Sequence, residues 1–206
     1  MTAPISIVDY GVGNVASIAN MLKKAGYDSE LTGDPERIAA ADKIILPGVG
    51  AFDRAAIKLR ETGLGALVVE RALAGAQILG VCLGMQLLLD ESEEGVEPGL
   101  GIIPGRVRRF PRDVAGVNLR VPHMGWNTIH RAGHLDTLPN VAEGDRFYFV
   151  HSYYADPLDE GDRMATTEHG VPFTSMVRRG TVIGAQFHPE KSHKTGLKLL
   201  SDFAAA

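Results

Sequence analysis

The chain has 206 residues, of which 45% are hydrophobic and 22% are charged, and its formal net charge is −4 at pH 7. This composition predicts a globular protein with enough apolar side chains for a core, and the length predicts one domain over residues 1–206. The negative net charge argues against binding to nucleic acid or to an anionic membrane. The acidic run at residues 90–97 and the basic cluster at residues 106–112 are interpreted as solvated surface, with a partner contact as the alternative.

The single cysteine, Cys82, has no second cysteine to pair with, so nothing in the sequence indicates an oxidising compartment. The first residues lack the cationic segment and apolar stretch that are typical of a signal peptide. Residues 73–89 are apolar enough to suggest a membrane span, but Gln77, Gln86 and three glycines favour a buried strand followed by a buried helix. We therefore expect a cytoplasmic protein without membrane contacts.

Strand and helix signals alternate along the first half of the chain. Asn14 is the candidate N-cap of the first helix and Gly26 its terminator. The predicted strands are residues 5–9, 43–47 and 77–81, and the predicted helices are residues 14–26, 51–61 and 64–75. This alternation favours right-handed crossovers and an open, mostly parallel twisted sheet that is flanked by helices.

The second half of the chain has a different pattern. From Gly101 onward, short β-rich runs are separated by Gly, Pro and Asn, which is typical of antiparallel strands. These runs are residues 117–122, 146–154, 163–169, 173–179 and 181–189, and a last helical segment spans residues 192–205. The predicted fold class is α/β, with a mostly parallel sheet and added antiparallel strands in the C-terminal half.

The turn after the first predicted strand, "DYGVGNVA", contains a weak dinucleotide-binding pattern. Gly11, Gly13 and Ala16 have the spacing of that fingerprint. However, Asp9 and Tyr10 stand where the strand meets the turn, and the next strand offers no clear ribose-binding residue. A plain glycine-rich turn is the better interpretation.

The turn "PGVGAF", residues 47–52, has two glycines around Val49. They leave backbone N–H groups uncovered beside the predicted start of a helix, which suits an anion or a developing oxyanion. By itself the segment is equally good as a tight connection.

The stretch "GVCLGMQ" contains Cys82 between Gly80 and Gly84, after a strand and before a helix. This is the geometry of a nucleophile elbow, in which the glycines permit a steep turn. A cysteine at the start of a helix also faces the positive end of the helix dipole, which favours the thiolate. A buried, inert thiol is the alternative, and this stretch alone does not decide between them.

The stretch "QFHPEKS" near the C-terminus offers a proton acceptor for that thiol. Pro189 holds the chain extended, so Glu190 can face the imidazole of His188 and leave its other nitrogen free. His130 and His134 lack further ligands, so no metal site is expected. The remaining histidines are expected to be surface or supporting residues; they are His123, His151, His169 and His193.

Together, "GVCLGMQ" and the distal "FHPEKS" resemble the class I glutamine amidotransferase family in both order and separation, over essentially the whole chain. Within it, the chain is similar to the glutaminase subunits of imidazole glycerol phosphate synthase, of histidine biosynthesis. The stretches "VDYGVGN", "PGVGAF", "CLGMQ", "PHMGWN" and "FYFVHSYY" carry this similarity. Met85 is one discriminator, because anthranilate-type glutaminases typically carry histidine there, and "HMGWN" is another.

The resemblance implies that Cys82 attacks the side-chain amide of glutamine, expels ammonia and forms a glutamyl thioester. His188, oriented by Glu190, would move the proton and then activate water. The N–H groups of Val49 and Leu83 would be the oxyanion donors. The resemblance also implies four residues that hold the α-amino acid end of the substrate: Gly50, Gln86, Ser152 and Tyr153.

The resemblance implies a partner as well. The chain has no P-loop and no basic phosphate clamp for an acceptor substrate, and free ammonia would be lost to water. The family's partner is a cyclase subunit with a (β/α)₈ barrel, which condenses ammonia with a phosphoribulosyl-formimino ribotide to give imidazole glycerol phosphate and an aminoimidazole carboxamide ribotide. No cofactor is implied. The residues expected near that heterodimer interface, with core or solvated surface as the alternative, are Asn14, Met124, Trp126, Tyr148 and Lys191.

Three other functions remain open at this point. The chain could be the glutaminase of another synthase, such as a chorismate-using one, although Met85 and "HMGWN" argue against that. It could also be a non-catalytic subunit of the same fold, although Cys82, His188 and Glu190 are intact, or a free-standing cysteine hydrolase. A further hypothesis is that the glycine-rich segment at residues 47–51 rearranges only when the partner is loaded, so that glutamine hydrolysis stays low until then.

Overall fold

The structure, a computed structural model, describes residues 3–11, 15–133 and 137–206. Its helices are α1 (Val15–Lys24), α2 (Pro35–Ala40), α3 (Phe52–Glu61), α4 (Leu64–Leu73), α5 (Leu83–Leu87) and α6 (His193–Ala205). The longer strands are β1 (Ile5–Val8), β2 (Ser29–Thr32), β3 (Lys43–Gly48), β4 (Gln77–Cys82), β6 (Gly105–Arg109), β9 (His123–Thr128), β11 (Arg146–His151), β12 (Tyr153–Pro157), β13 (Arg163–His169), β14 (Val171–Arg179) and β15 (Val182–Ala185). Two-residue strands complete the set: β5 (Glu91–Ser92), β7 (Asp113–Val114), β8 (Val117–Asn118) and β10 (His130–Arg131).

The main sheet runs in the order β2-β1-β3-β4-β15-β14-β12-β6-β5, with β13 on β14 and β10 on β13. Strands β2, β1, β3, β4 and β15 are parallel to their neighbours in that half of the sheet. From β15 onward the pairs β15–β14, β14–β12 and β12–β6 are antiparallel. The predicted fold class, a mostly parallel α/β sheet with added antiparallel strands, is confirmed.

The inner parallel strands β1, β3, β4 and β15 are buried on both faces, which explains why their sequences are largely apolar. Ile45 and Leu79 belong to an apolar core shared with α1 and α6. Ile44 and Ile78, one residue earlier in each strand, belong to a second core that includes residues of α2, α3 and α4. The period-2 alternation of strand side chains therefore supplies one core to each face of the sheet.

A separate two-stranded antiparallel ribbon, β9 with β11, pairs His151 with His123 and Tyr148 with Trp126. We did not predict β9, and the predicted strand at residues 146–154 is two strands, because the chain leaves β11 at Ser152 before β12 begins. The predicted N-cap Asn14 lies outside the described residues, as does Gly13. In the parts of the chain that the structure describes, no helix is long and apolar enough to cross a membrane.

Candidate active site

Cys82 is the last residue of β4 and directly precedes α5. Its backbone has φ of 55° and ψ of −111°, a conformation that non-glycine residues rarely adopt and that costs free energy. The flanking glycines allow it. A Cβ on Gly84 would collide with the carbonyl oxygen of Leu46, and one on Gly80 would lie 2.8 Å from the carbonyl oxygen of Gly84. The sharp turn predicted at Cys82 is thus made by close backbone approach between β3, β4 and α5.

His188 follows β15, which pairs with β4, so it lies at the same edge of the sheet as Cys82. Its backbone N–H donates to the Tyr148 carbonyl of the ribbon at 2.9 Å. Its Nδ1 lies 2.8 Å from Oε1 of Glu190, and the two side chains are 4% and 3% exposed. Pro189 begins the 3-10 turn that brings Glu190 back toward the imidazole.

The electrostatics of His188 are set by its two neighbours. Burial by itself lowers the pKa of His188, but hydrogen bonds and charge interactions with Cys82 and Glu190 raise it to about 9. At neutral pH the imidazole therefore carries a proton between a sulfur atom and a carboxylate. A cationic imidazole beside a cysteine favours the thiolate, which is the nucleophilic form.

A cavity of about 440 Å³ opens above Cys82. Of the residues predicted from the sequence, those that line it are Val49, Gly50, Cys82, Leu83, Gln86, Ser152, Tyr153, His188 and Lys191. Glu190 lies behind His188, where it contacts the imidazole and not the cavity. The volume and the mixture of apolar and polar walls suit a small amino acid.

The segment at residues 47–50 packs against the start of α5, and its Val49 and Gly50 line the cavity. Gly48 pairs with Cys82 in the β3–β4 register, and a Cβ on Gly48 would lie 2.6 Å from the backbone N of Gly84. Val49 follows β3 and is 41% exposed, and Gly50 adopts φ of +91°. Leu83 is the first residue of α5, where backbone N–H groups lack intrahelical acceptors. The two residues predicted as oxyanion donors therefore both border the cavity.

Several polar residues near Cys82 were not predicted as site residues. Tyr10 is buried, and its hydroxyl donates to the Pro47 carbonyl at 2.7 Å. Burial and the charge of Cys82 raise the pKa of this phenol, so it stays protonated and fixes Pro47. Glu94 lines the cavity and accepts a hydrogen bond from the Phe52 N–H at 3.0 Å. Burial raises the pKa of Glu94.

Gln86 and Gln186 form a buried pair beneath the nucleophile. Gln86 Nε2 donates to the Tyr153 carbonyl and to Oε1 of Gln186, both at 3.0 Å. Nε2 of Gln186 lies 3.8 Å from Sγ of Cys82. Gln186 is part of "QFHPEKS", but its side chain gave no signal of its own in the sequence.

The sequence predicted that His123 and His151 are surface or supporting residues. The structure shows that they are not on the surface, since they are only 4% and 6% exposed. They meet because they are paired in the β9–β11 ribbon, with 3.0 Å between ring nitrogens. Burial lowers the pKa of His123 to about 4 and that of His151 to about 3. Both are therefore neutral at pH 7. Among the described side chains, no group of three or more His, Cys, Asp or Glu could hold a metal ion.

Four of the predicted interface residues lie together beside the mouth of the cavity. Met124 is 62% exposed and Trp126 is 40% exposed, both on the outer face of β9. Tyr148 pairs with Trp126 across the ribbon, and Nζ of Lys191 lies 5.9 Å from the centre of the Tyr148 ring. We call these four residues the ribbon surface. The fifth predicted residue, Asn14, lies outside the described residues.

Comparison with known proteins identifies the family of this chain. Residues 6–206 match the family model described as glutamine amidotransferase class-I. A Gloeobacter violaceus protein named imidazole glycerol phosphate synthase subunit HisH is 47% identical to this chain, over 98% of this chain and 89% of that protein. A Pseudomonas aeruginosa protein named imidazole glycerol phosphate synthase subunit HisH 2 is 46% identical, over 97% of this chain and 98% of that protein. The chain belongs to the HisH family of class I glutamine amidotransferases. The resemblance found in its motifs is thereby confirmed.

Solved structures with lower identity share the fold of this HisH-family chain. One is a crystal structure of a glutamine amidotransferase with a TM-score of 0.75 at 21% identity, covering 98% of this chain and 100% of that one. Another is the structure of PurLQS from Thermotoga maritima, with a TM-score of 0.74 at 19% identity and 98% coverage of both chains.

Proposed function

We propose that this chain, as one amidotransferase domain, hydrolyses glutamine and supplies the ammonia to a cyclase partner that forms imidazole glycerol phosphate. The observation that carries the proposal is the joint arrangement of Cys82, His188 and Glu190 in a chain that is 47% identical to the HisH protein of Gloeobacter violaceus over nearly its full length. The same membership supports a role in histidine biosynthesis and, since this is a biosynthetic role, a cytoplasmic location.

The reaction begins when the Cys82 sulfur attacks the side-chain carbonyl carbon of glutamine. The resulting oxyanion is held by the N–H groups of Val49 and Leu83. His188 gives its proton to the departing nitrogen, so that ammonia leaves and a glutamyl thioester remains on Cys82. His188, held by Glu190, then takes a proton from water; the hydroxide cleaves the thioester, and glutamate is released with a regenerated cysteine.

The α-amino acid end of the substrate lies against the outer cavity wall. Gly50, Ser152 and Tyr153 offer backbone groups and a hydroxyl there. Gln86 uses both of its amide hydrogens within the protein, so its carbonyl oxygen is the atom left to accept a hydrogen bond from the substrate. Glu94 supplies the negative charge that suits the α-ammonium group.

The ribbon surface is the proposed contact with the cyclase, as a heterodimer. Two large apolar side chains exposed beside an active-site mouth are typical of a binding surface. Lys191 lines the cavity and also lies over the Tyr148 ring, so a partner bound there would contact residues that reach the catalytic site. Ammonia could then pass to the partner without entering bulk water.

The decisive experiment uses the complex of this chain with a candidate cyclase and compares glutamine with ammonium salts as nitrogen source. Cys82→Ala should abolish glutamine-dependent synthesis and glutamate release, while synthesis from ammonia continues. Glutamine-dependent turnover by this variant would reject Cys82 as the nucleophile. Copurification with a chorismate-using synthase in place of the cyclase would favour the alternative partner.

A further inference from the structure

The carbonyl oxygen of Tyr153 accepts two partly buried hydrogen bonds. Nδ1 of His151 lies 2.8 Å from it and Nε2 of Gln86 lies 3.0 Å from it. A carbonyl oxygen can only accept, so both nitrogens must carry the hydrogen. This single acceptor fixes the tautomer of His151 and the amide orientation of Gln86.

The orientation of the Gln86 amide in turn determines the orientation of Gln186, which lies next to the Cys82 sulfur. The second hydrogen of Gln86 Nε2 points to Oε1 of Gln186 at 3.0 Å. Gln186 must therefore turn its own amide nitrogen the other way, toward Sγ of Cys82 at 3.8 Å. A flipped Gln186 would set its N–H₂ group against that of Gln86, two donors facing each other. Gln186 is fully buried, so water cannot relieve such a clash.

The tautomer of His151 in turn determines the directions of the hydrogen bonds in the β9–β11 ribbon. A neutral His151 with its hydrogen on Nδ1 must accept at Nε2, and Nδ1 of His123 is 3.0 Å away. Nε2 of His123 then accepts from Nδ2 of Asn127 at 3.1 Å, and the same amide nitrogen donates to the Glu168 carbonyl at 2.8 Å. His123 and Asn127 alternate in β9 with the exposed Met124 and Trp126.

We propose that Gln186 is a catalytic residue whose amide N–H stabilises the Cys82 thiolate, and that His151, His123 and Asn127 are positioning residues that hold the Tyr153 carbonyl in place. This inference rests on the proposed glutaminase function and extends it. An N–H donor binds an anionic sulfur more strongly than a neutral thiol, so it favours the reactive form. The direction of every hydrogen bond in the network follows from two backbone carbonyls, that of Tyr153 at its centre and that of Glu168 at the Asn127 end.

The first test is alkylation of the full chain with iodoacetamide, followed over pH. Cys82 is the only cysteine in the sequence, so the mass of the adduct reports this sulfur alone. Gln186→Met keeps the side-chain length but cannot donate. Its alkylation profile should move upward by about one pH unit, so that alkylation is about tenfold slower on the acidic limb of the profile, because a hydrogen bond to a charged group is worth about one pKa unit. An unchanged profile would overturn the role of Gln186.

The control variant is Gln77→Met, the same chemical change at the opposite end of β4, which should leave the profile as in the wild type. If circular dichroism shows that Gln186→Met does not fold, Gln186→Asn retracts the amide and should slow alkylation in the same direction. In the cyclase complex, the folded variant should lose kcat for glutamine with a KM within about twofold of wild type. A purely structural defect would change both.

The second test is ¹⁵N NMR of the histidine rings in the wild-type chain. His151 and His123 should both be neutral and carry their hydrogen on Nδ1 at pH 7. Protonation at Nε2 of His151 would overturn the proposed direction of the network. The alkylation and NMR measurements are made without glutamine, so they can fail while glutamine turnover stands, and they can succeed even if the physiological partner is a different synthase.

Discussion

Nδ1 of His188 lies 2.8 Å from Oε1 of Glu190, and both side chains are almost completely buried. The other carboxylate oxygen of Glu190 is buried without a hydrogen-bond partner among the described residues. The negative charge of Glu190 is therefore compensated chiefly by the imidazole. Glu190 therefore holds the ring of His188 in one orientation and favours its protonated form. Both are required of a residue that shuttles a proton to and from Cys82.

Replacing Glu190 by Gln should lower kcat for glutamine by about 10² to 10⁴-fold in the cyclase complex. The reason is that the imidazole of His188 loses the negative charge that orients it and raises its pKa. KM for glutamine should change much less, since Glu190 does not line the cavity. The matched control is Glu143→Gln, which alters an exposed Glu–His pair with the same 2.8 Å separation from His130. A Glu190→Gln enzyme with wild-type kcat would contradict the assigned role.

The titration of His188 should reveal its contact with Cys82. Its pKa is raised to about 9 from the ordinary value of 6.5, so its contribution to stability is fully present below pH 6.5 and is lost as pH rises through 9. Cys82→Ala removes one of the two groups that raise this pKa. NMR should therefore show His188 titrating at lower pH in the variant than in the wild type. Identical midpoints would mean that sulfur and imidazole do not interact.

Glu94→Gln should weaken glutamine binding while chemistry continues. Losing a charged hydrogen-bond acceptor for the α-ammonium should raise KM by about tenfold or more, with kcat within about threefold of wild type. Steady-state kinetics of the cyclase complex would measure both. Glu91→Gln, an exposed carboxylate outside the cavity, is the control and should leave KM unchanged. A drop in kcat alone would place Glu94 elsewhere in the mechanism.

Gly84→Ala tests the close packing of the elbow. The added methyl group would collide with the backbone carbonyl of Leu46, which cannot move without shifting β3. We expect a loss of about 3 kcal/mol in the free energy of unfolding, measured by urea denaturation, together with loss of glutaminase activity. Gly161→Ala is the comparison, because its new methyl group would meet only the Asp159 side chain, at 3.2 Å. Equal stability of both variants would argue against the close approach.

Trp126→Ala should raise the Kd for the cyclase by about 30-fold, the effect of removing a hot-spot aromatic residue. Titration calorimetry with the purified cyclase would measure it. Leu73→Ala, on α4, removes an apolar side chain that is 85% exposed but lies outside the ribbon surface, and it should leave the Kd as it is. If Leu73 mattered and Trp126 did not, the docking surface would be on another side of the molecule.

The sequence by itself determined the parts of this site that depend on local backbone chemistry. A buried strand that ends at a residue between two glycines predicts a sharp turn, and a histidine followed by Pro and Glu predicts a held imidazole. Three of the parallel strands, β1, β3 and β4, were equally readable, since helices on both faces require continuous apolar strands. The polar edge strand β2 was not among the strands predicted from apolar runs, and β15 was placed among the antiparallel runs although it is parallel to β4. The features that were predicted depend on neighbours within a few residues of one another, which a linear pattern can display.

Only the tertiary structure decided the polar network around them. Gln86 and Gln186 are 100 residues apart in the chain, and they meet because β4 and β15 are adjacent strands whose continuations carry both side chains to one edge. His123 and His151 looked like unremarkable polar positions until the β9–β11 register paired and buried them. The physical reason is that His, Gln and Asn side chains can both donate and accept hydrogen bonds. Only a neighbour that can do nothing but accept decides which of their atoms donates. Here that acceptor is the Tyr153 carbonyl, a backbone group that no residue pattern in the sequence identifies.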